Sequence, residues 1–250
     1  MIRAPVAGMS PELERLRMLR RELHRAPELS NREAATAARV RAFVEPLAPD
    51  AILDGLGGHG VAFAFDGREP GPTVMLRADL DALPIDDEGD AEHRSRVAGV
   101  GHLCGHDGHM AILAGVAQRT AARRPEAGRL WLLFQPAEET GEGAARVLAD
   151  PAFAAIRPDR VFALHNLPGE PLGRVVLRAG SFAAGSAGAI IRLKGATSHA
   201  AHPEQGRSPA RATAALMEGV ETVRERVEAP CGFAFATLIH ARVGEVALGT

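Results

Sequence analysis

Leucines 13, 16, 19 and 23 recur at three- and four-residue intervals behind Ser10 and Pro11, the spacing of one buried helix stripe with a cap and a proline in its first turn. Pro27 interrupts that stripe and "NREAATAARVRAFV" starts afresh, so residues 10–45 predict two helices. Beyond them the period changes. "GVAFAFDG" and "PTVMLRADLDALPI" predict strands joined through the turn-rich "GREPGP", the second emptying into an acidic loop around Asp86, Asp87 and Glu88. "HMAILAGVAQRTAARR" predicts a helix, "GRLWLLFQ" an apolar strand, residues 142–149 a further helix and "DRVFALHN" another strand. This alternation predicts an α/β fold, a mostly parallel sheet flanked by helices, with functional residues where strand ends meet loops.

From about residue 180 the texture changes. The Gly- and Ala-rich "RAGSFAAGSAG" leads into a predicted strand, "AIIRLKG", a helix over about 208–227 and a strand, "FAFATLIHARV". We therefore divide the chain into residues 1–182 and a smaller domain that begins in 183–250.

Composition narrows the function. A chain of 250 residues can bury a proper core without disulfides. Its 46% hydrophobic and 24% charged residues belong to a globular protein rather than a disordered one. The net charge of −2 and the scattered arginines lack the basic patch of a nucleic-acid binder. No stretch reaches the roughly 20 apolar residues of a membrane span, and the N-terminus has no uninterrupted apolar core of a signal peptide. Two cysteines, Cys104 and Cys231, fit a reducing compartment, so no nucleic-acid or membrane partner and a cytoplasmic location are expected.

"GLGGHG" at 55–60 satisfies a dinucleotide-binding pattern but runs into a strand instead of a helix, so it predicts only a glycine turn. "GHLCGHDGHM" at 101–110 is different, because it gathers His102, Cys104, His106, Asp107 and His109 in ten residues. A cysteine nucleophile needs a partnered base and an oxyanion donor, which sequence proximity does not establish. A structural zinc site needs a second Cys-containing half, which is absent. A catalytic metal site would draw its remaining ligands from other strand ends. Glu138 and Glu139 follow the strand "LWLLF", and His165 ends the next strand, so three loops deliver Cys, His, Glu and His to one rim of a sheet.

In order and separation, "LRADLDALP", "HLCGHDGHM", "QPAEETGEGA" and "ALHN" resemble the amidohydrolase branch of the dinuclear metallopeptidases, which includes aminoacylases, hippurate hydrolases and auxin-conjugate hydrolases. "LHRAPELSNREAATA" resembles the family's first two helices and "GATSHAAHPEQGRSP" the opening of its inserted ferredoxin-like lid. The resemblance implies that Cys104 bridges two divalent metal ions, that His106 and Glu139 complete one ion's protein ligands, and that His165 binds the other. It implies Glu138 as the general base, Asp81 as a supporting carboxylate and His199 as the lid histidine that holds the substrate carbonyl. Asp79, His102, Asp107 and His109 are support candidates without assigned roles.

A thiolate can offer lone pairs to two cations, and zinc suits the mixed thiolate, imidazole and carboxylate set, with manganese, cobalt and nickel sharing it. The expected reaction is hydrolysis of the amide bond of N-acyl amino acids or similar small amides by a metal-activated water, with Glu138 moving its proton. The resemblance also implies a homodimer through the lid. Family members supply one further metal-binding histidine near their C-terminus. His240 does not match that motif, so the second ion's site is expected to be incomplete, and the competing expectation is a remnant that binds metal or ligand without turnover.

Overall fold

The structure is a computed structural model that describes residues 10–181, 183, 185–226 and 235–244. Cys231 lies outside the described residues. The chain divides into two units between Arg174 and Val175.

In the first unit, helix α1 (Pro11–Arg25) is started as its sequence demands: Ser10 Oγ accepts from Leu13 N–H at 3.3 Å, and Pro11 occupies the first turn. Leu19 and Leu23 are buried, and Leu16 packs against the same core. Helix α2 (Ala34–Val44) buries Val40 and Val44. The strands that follow are β1 (Ala51–Leu56), β2 (Gly60–Asp66), β3 (Glu69–Asp79), β4 (Ala127–Gln135) and β5 (Arg160–Ala163), with helices α3 (His106–Ala122) and α4 (Gly143–Ala149) between them.

The sheet runs in the order β1-β2-β4-β3-β5. The helix-flanked α/β sheet is the one expected, but its make-up is mixed. β4, β3 and β5 are mutually parallel, whereas β1 pairs antiparallel with β2 and β2 with β4. The reason lies in "GLGGHG": Gly55, Gly57 and Gly58 take positive φ, and the resulting tight turn folds β1 back on β2 as a hairpin that extends the parallel part.

Side chains alternate across the strands, giving the sheet two apolar faces. Val61, Phe63, Phe65, Leu132 and Phe134 face α1, α2 and α3, where Met110, Leu113, Ala114 and Ala117 complete one core. Ala62, Ala64, Trp131 and Leu133 face the other way and pack with Val147 and Ile156. Because β3, β4 and β5 are parallel, their C-terminal ends share one rim, the position at which open α/β sheets place ligands.

The second unit contains helix α5 (Ala210–Arg226), a 3-10 turn at Pro203–Gln205 and a backbone bridge between Ala196 and Arg207. The strand expected over 189–195 is not formed, nor is one formed in 235–243, because these segments have no ladder partner among the described residues. Residues 233 and 234 of that second stretch lie outside the described residues. No helix among the described residues is long and apolar enough to cross a membrane.

Candidate metal centre

The rim is built by three strand exits and one helix start. β3 ends at Asp79 and continues through Leu80 to Asp81; β4 runs into Pro136, Ala137, Glu138 and Glu139; β5 leads to His165 and Asn166. Helix α3 begins at His106 behind Gly105, whose φ of 94° is the left-handed turn that brings Cys104 back over the rim. A side chain at Gly105 would also meet Asn166 Oδ1 at 2.7 Å, so the glycine lets the Cys104 and His165 loops approach.

Two groups of residues have ligand atoms lying within 4.8 Å of one another: Cys104, His106 and His165, and Asp79, His106 and Glu138. Cys104 Sγ is 3.2 Å from His165 Nε2. His106 Nε2 lies 3.7 Å from Glu139 Oε1 and 3.9 Å from Glu138 Oε2. Cys104, His106, Glu138, Glu139 and His165 are therefore brought together from positions spread over 61 residues of sequence.

Both imidazoles are oriented alike. His106 Nδ1 donates to the Asp81 carbonyl at 2.8 Å and His165 Nδ1 to the Asn166 carbonyl at 2.8 Å, so each ring turns Nε2 toward the cluster. Asp81, fully buried, has its Oδ1 3.5 Å from His106 Nδ1, while its Oδ2 accepts from Ser30 Oγ at 2.7 Å and Glu139 N–H at 2.9 Å. Burial alone would raise its carboxyl, but the hydrogen bonds from His106, Ser30 and Glu139 outweigh it and hold Asp81 down at about 2.

The other acidic groups are pushed the opposite way. Burial, with Glu139, Glu138 and Asp79 nearby, drives the Cys104 thiol up to about 12. Burial raises Asp79 to about 6 against the pull of Arg77, and it raises Glu139 as well. His106 moves up to about 9: burial opposes its charge, but Asp81 and Asp79 favour it more. The donor set is thus short of positive charge. His106 Nε2 and Glu139 Oε1 are moreover buried without hydrogen-bond partners, too far apart to bond each other and close enough for one cation to serve both. These orphaned nitrogen and oxygen atoms, with the Cys104 sulfur beside them, make a mixed donor set that fits a divalent metal ion.

The neighbouring candidates separate from this cluster. Asp107 accepts from Arg20 Nε at 3.1 Å and His24 Nδ1 at 3.0 Å, which ties α3 to α1. His24 Nε2 reaches Asp87 Oδ2 at 3.1 Å and so fastens the acidic loop as well. His102 is buried beside the His24 ring, and burial pushes it down to about 4. His109 Nε2 accepts from Asn166 N–H at 3.1 Å; burial lowers it to about 4, so it is a neutral prop for the His165 loop. Asp79 was the underrated residue. It ion-pairs with Arg77 and faces His106 and Glu138; its sequence signals were a carboxylate within an otherwise apolar predicted strand and its place in "LRADLDALP". His199 belongs to the second unit, where it is exposed and its Nδ1 accepts from Ala201 N–H at 3.1 Å.

The fold and the rim together define a class, that of helix-flanked α/β-sheet proteins whose strand-end rim gathers residues able to hold a divalent metal ion. The chain belongs to peptidase family M20/M25/M40, whose model matches residues 75–244. It is 35% identical over 213 residues to the N-acetylcysteine deacetylase of Bacillus subtilis, covering 85% of this chain and 56% of that protein. It is 32% identical over 228 residues to the N-acetyldiaminopimelate deacetylase of Listeria innocua, covering 91% and 61%. A crystal structure of the Bacillus subtilis YXEP protein, a dinuclear metal-binding peptidase of the M20 family, superposes with a TM-score of 0.60 at 39% identity, covering 64% of this chain and 44% of that one. The chain spans roughly half the length of the curated relatives it matches, 46% of one and 61% of another.

Proposed function

We propose that the protein hydrolyses the amide bond of N-acyl amino acids or similar small amides at a centre of two divalent metal ions. The observation that carries this reading is the pair of imidazoles anchored at Nδ1 that turn Nε2 toward a thiol and carboxylates, with His106 Nε2 and Glu139 Oε1 left orphaned. Deacetylase relatives support the substrate class.

In this reading Cys104 would be a ligand shared by both ions, His106 and Glu139 would hold one and His165 the other, with zinc the best match to the donor set. The ions, when bound, supply Lewis acidity toward water and toward the amide carbonyl. Asp81 fixes the His106 ring. Glu138 takes a proton from the attacking water and returns it to the leaving nitrogen. Its side chain is 39% exposed, against 18% for Glu139 and 0% for Asp81, so it is the carboxylate that solvent and substrate reach. His199, carried by a lid formed from residues 183–250, steadies the substrate carbonyl, and the lid joins two copies of the chain. Residues 1–182 form the metal-binding domain.

Although His165 Nε2 lies 3.2 Å from its sulfur, a nucleophilic role for Cys104 is disfavoured by its buried, acidic surroundings. A nucleophilic cysteine needs a lowered pKa, and burial with its acidic neighbours pushes Cys104 up to about 12.

The proposal is tested by metal loading across pH together with turnover of a panel of N-acyl amino acids. Without metal, Cys104 (about 12) and His106 (about 9) both hold protons at neutral pH, and a binding ion displaces both. Affinity therefore rises with pH through the neutral range. A pH-independent affinity, or loading without hydrolysis of any panel member, contradicts the reading.

A further inference from the structure

We infer that Glu33 is a positioning residue for the carboxylate pair Glu138 and Glu139, an inference that rests on the metal-centre reading above. Glu33 stands at the start of α2, where a side chain ordinarily caps its own helix, yet it makes no such hydrogen bond. It is fully buried, and its Oε1 accepts from Asn31 N–H at 2.9 Å and from Ala137 N–H at 2.8 Å, the second bond spanning 104 residues of sequence.

Ala137 is the residue just before the pair, and its φ of 50° lies in the left-handed region that a Cβ disfavours. Its carbonyl accepts from Gly143 N–H at 2.9 Å, and Gly141 N–H donates to the Glu138 carbonyl at 2.8 Å, so the turn carrying the pair is closed behind it. Gly143 admits no side chain, because a Cβ there would overlap the Pro136 carbonyl oxygen. At the far side, Glu139 N–H is held by Asp81 Oδ2, itself held by Ser30 Oγ. Ala82 N–H donates to the Glu28 carbonyl at 2.9 Å. The short segment Glu28–Glu33 therefore grips both the Asp81 loop and the Glu138–Glu139 loop.

Without the Glu33 oxygen, Ala137 N–H becomes a buried donor without a partner, and the residue returns to a right-handed or extended backbone. That rotation re-aims the two side chains that follow. Glu33 Oε2, by contrast, is buried with no hydrogen-bond partner. A half-satisfied buried carboxylate is a poor device for stability alone, and it is explained by what its other oxygen holds.

Reach and charge are separated by two variants. Glu33→Gln keeps an acceptor at full length without the charge, and Glu33→Asp keeps the charge but falls one methylene short of Ala137. Cobalt(II) titration, followed by the thiolate-to-cobalt charge-transfer band of Cys104, reads the centre without any need for turnover. Glu33→Asp is expected to weaken cobalt binding about 10-fold or more, the scale of lost outer partners of a metal site, whereas Glu33→Gln stays within about threefold. In the Glu33→Asp background, Ala137→Gly restores part of the affinity, because glycine adopts the left-handed backbone without a Cβ penalty. Turnover of N-acyl amino acids falls in kcat more than KM changes.

The inference is overturned if Glu33→Asp binds cobalt like the parent while Glu33→Gln does not, or if Ala137→Gly restores nothing. A parent chain that binds cobalt but hydrolyses no amide ends the hydrolase reading and leaves the Glu33 result standing. A parent that takes up no cobalt contradicts both.

Discussion

Glu138→Gln is expected to lower amide hydrolysis by about 10²–10⁴-fold, the usual contribution of a positioned general base, while metal content and fold stay unchanged. The amide keeps the size and an acceptor oxygen but cannot take up the proton. Glu138 is the most exposed carboxylate of the cluster, and among the described residues no side-chain hydrogen bond commits it, so its loss leaves the neighbouring contacts intact. The measurement is steady-state kinetics on the metal-loaded variant, with metal analysis on the same sample. Retained turnover with metal bound would remove Glu138 from the mechanism.

Cys104→Ala is expected to produce the other large effect, and on binding rather than on proton transfer. The thiol lies 3.2 Å from His165 Nε2 and shares a 4.8 Å cluster with His106, so removing it takes a donor from both sides of the centre. The loss of metal affinity should exceed the ~10–100-fold typical of outer-shell partners. Isothermal titration with zinc checks it. A cysteine nucleophile makes a different prediction: activity lost, metal affinity unchanged. Cys104→Ser separates the two further, because a hydroxyl is a poorer metal donor than a thiolate but remains a possible nucleophile.

Much of this site was legible in one dimension, and the reasons are local. The Ser10 cap, the leucine stripe of α1 and the glycine turn at 55–60 are written within a few residues of where they act. The window at 101–110 and the strand exits at 138, 139 and 165 carry residue types whose chemistry is specific, and parallel strands necessarily bring such exits to one rim. β1 was missed because it is a partly exposed edge strand containing Asp54 and Gly55, so no clean alternation marks it. Residue type and spacing alone did not separate His106 from His102 and His109, which the family resemblance distinguished. Only the fold shows that His102 packs by His24 and that His109 supports Asn166. Glu33 was invisible for a different reason. A carboxylate at a helix start ordinarily faces solvent, and nothing near it in sequence announces a bond to a backbone N–H 104 residues away.

If metal held by this rim is required for amide hydrolysis, chelation followed by reconstitution will show it. Purified protein is assayed with N-acetyl amino acids, stripped with a chelator, assayed again, and titrated back with zinc, manganese or cobalt while bound metal is counted. Turnover is expected to disappear with the metal and to return in proportion to the ions rebound. Turnover that survives complete metal removal would contradict it.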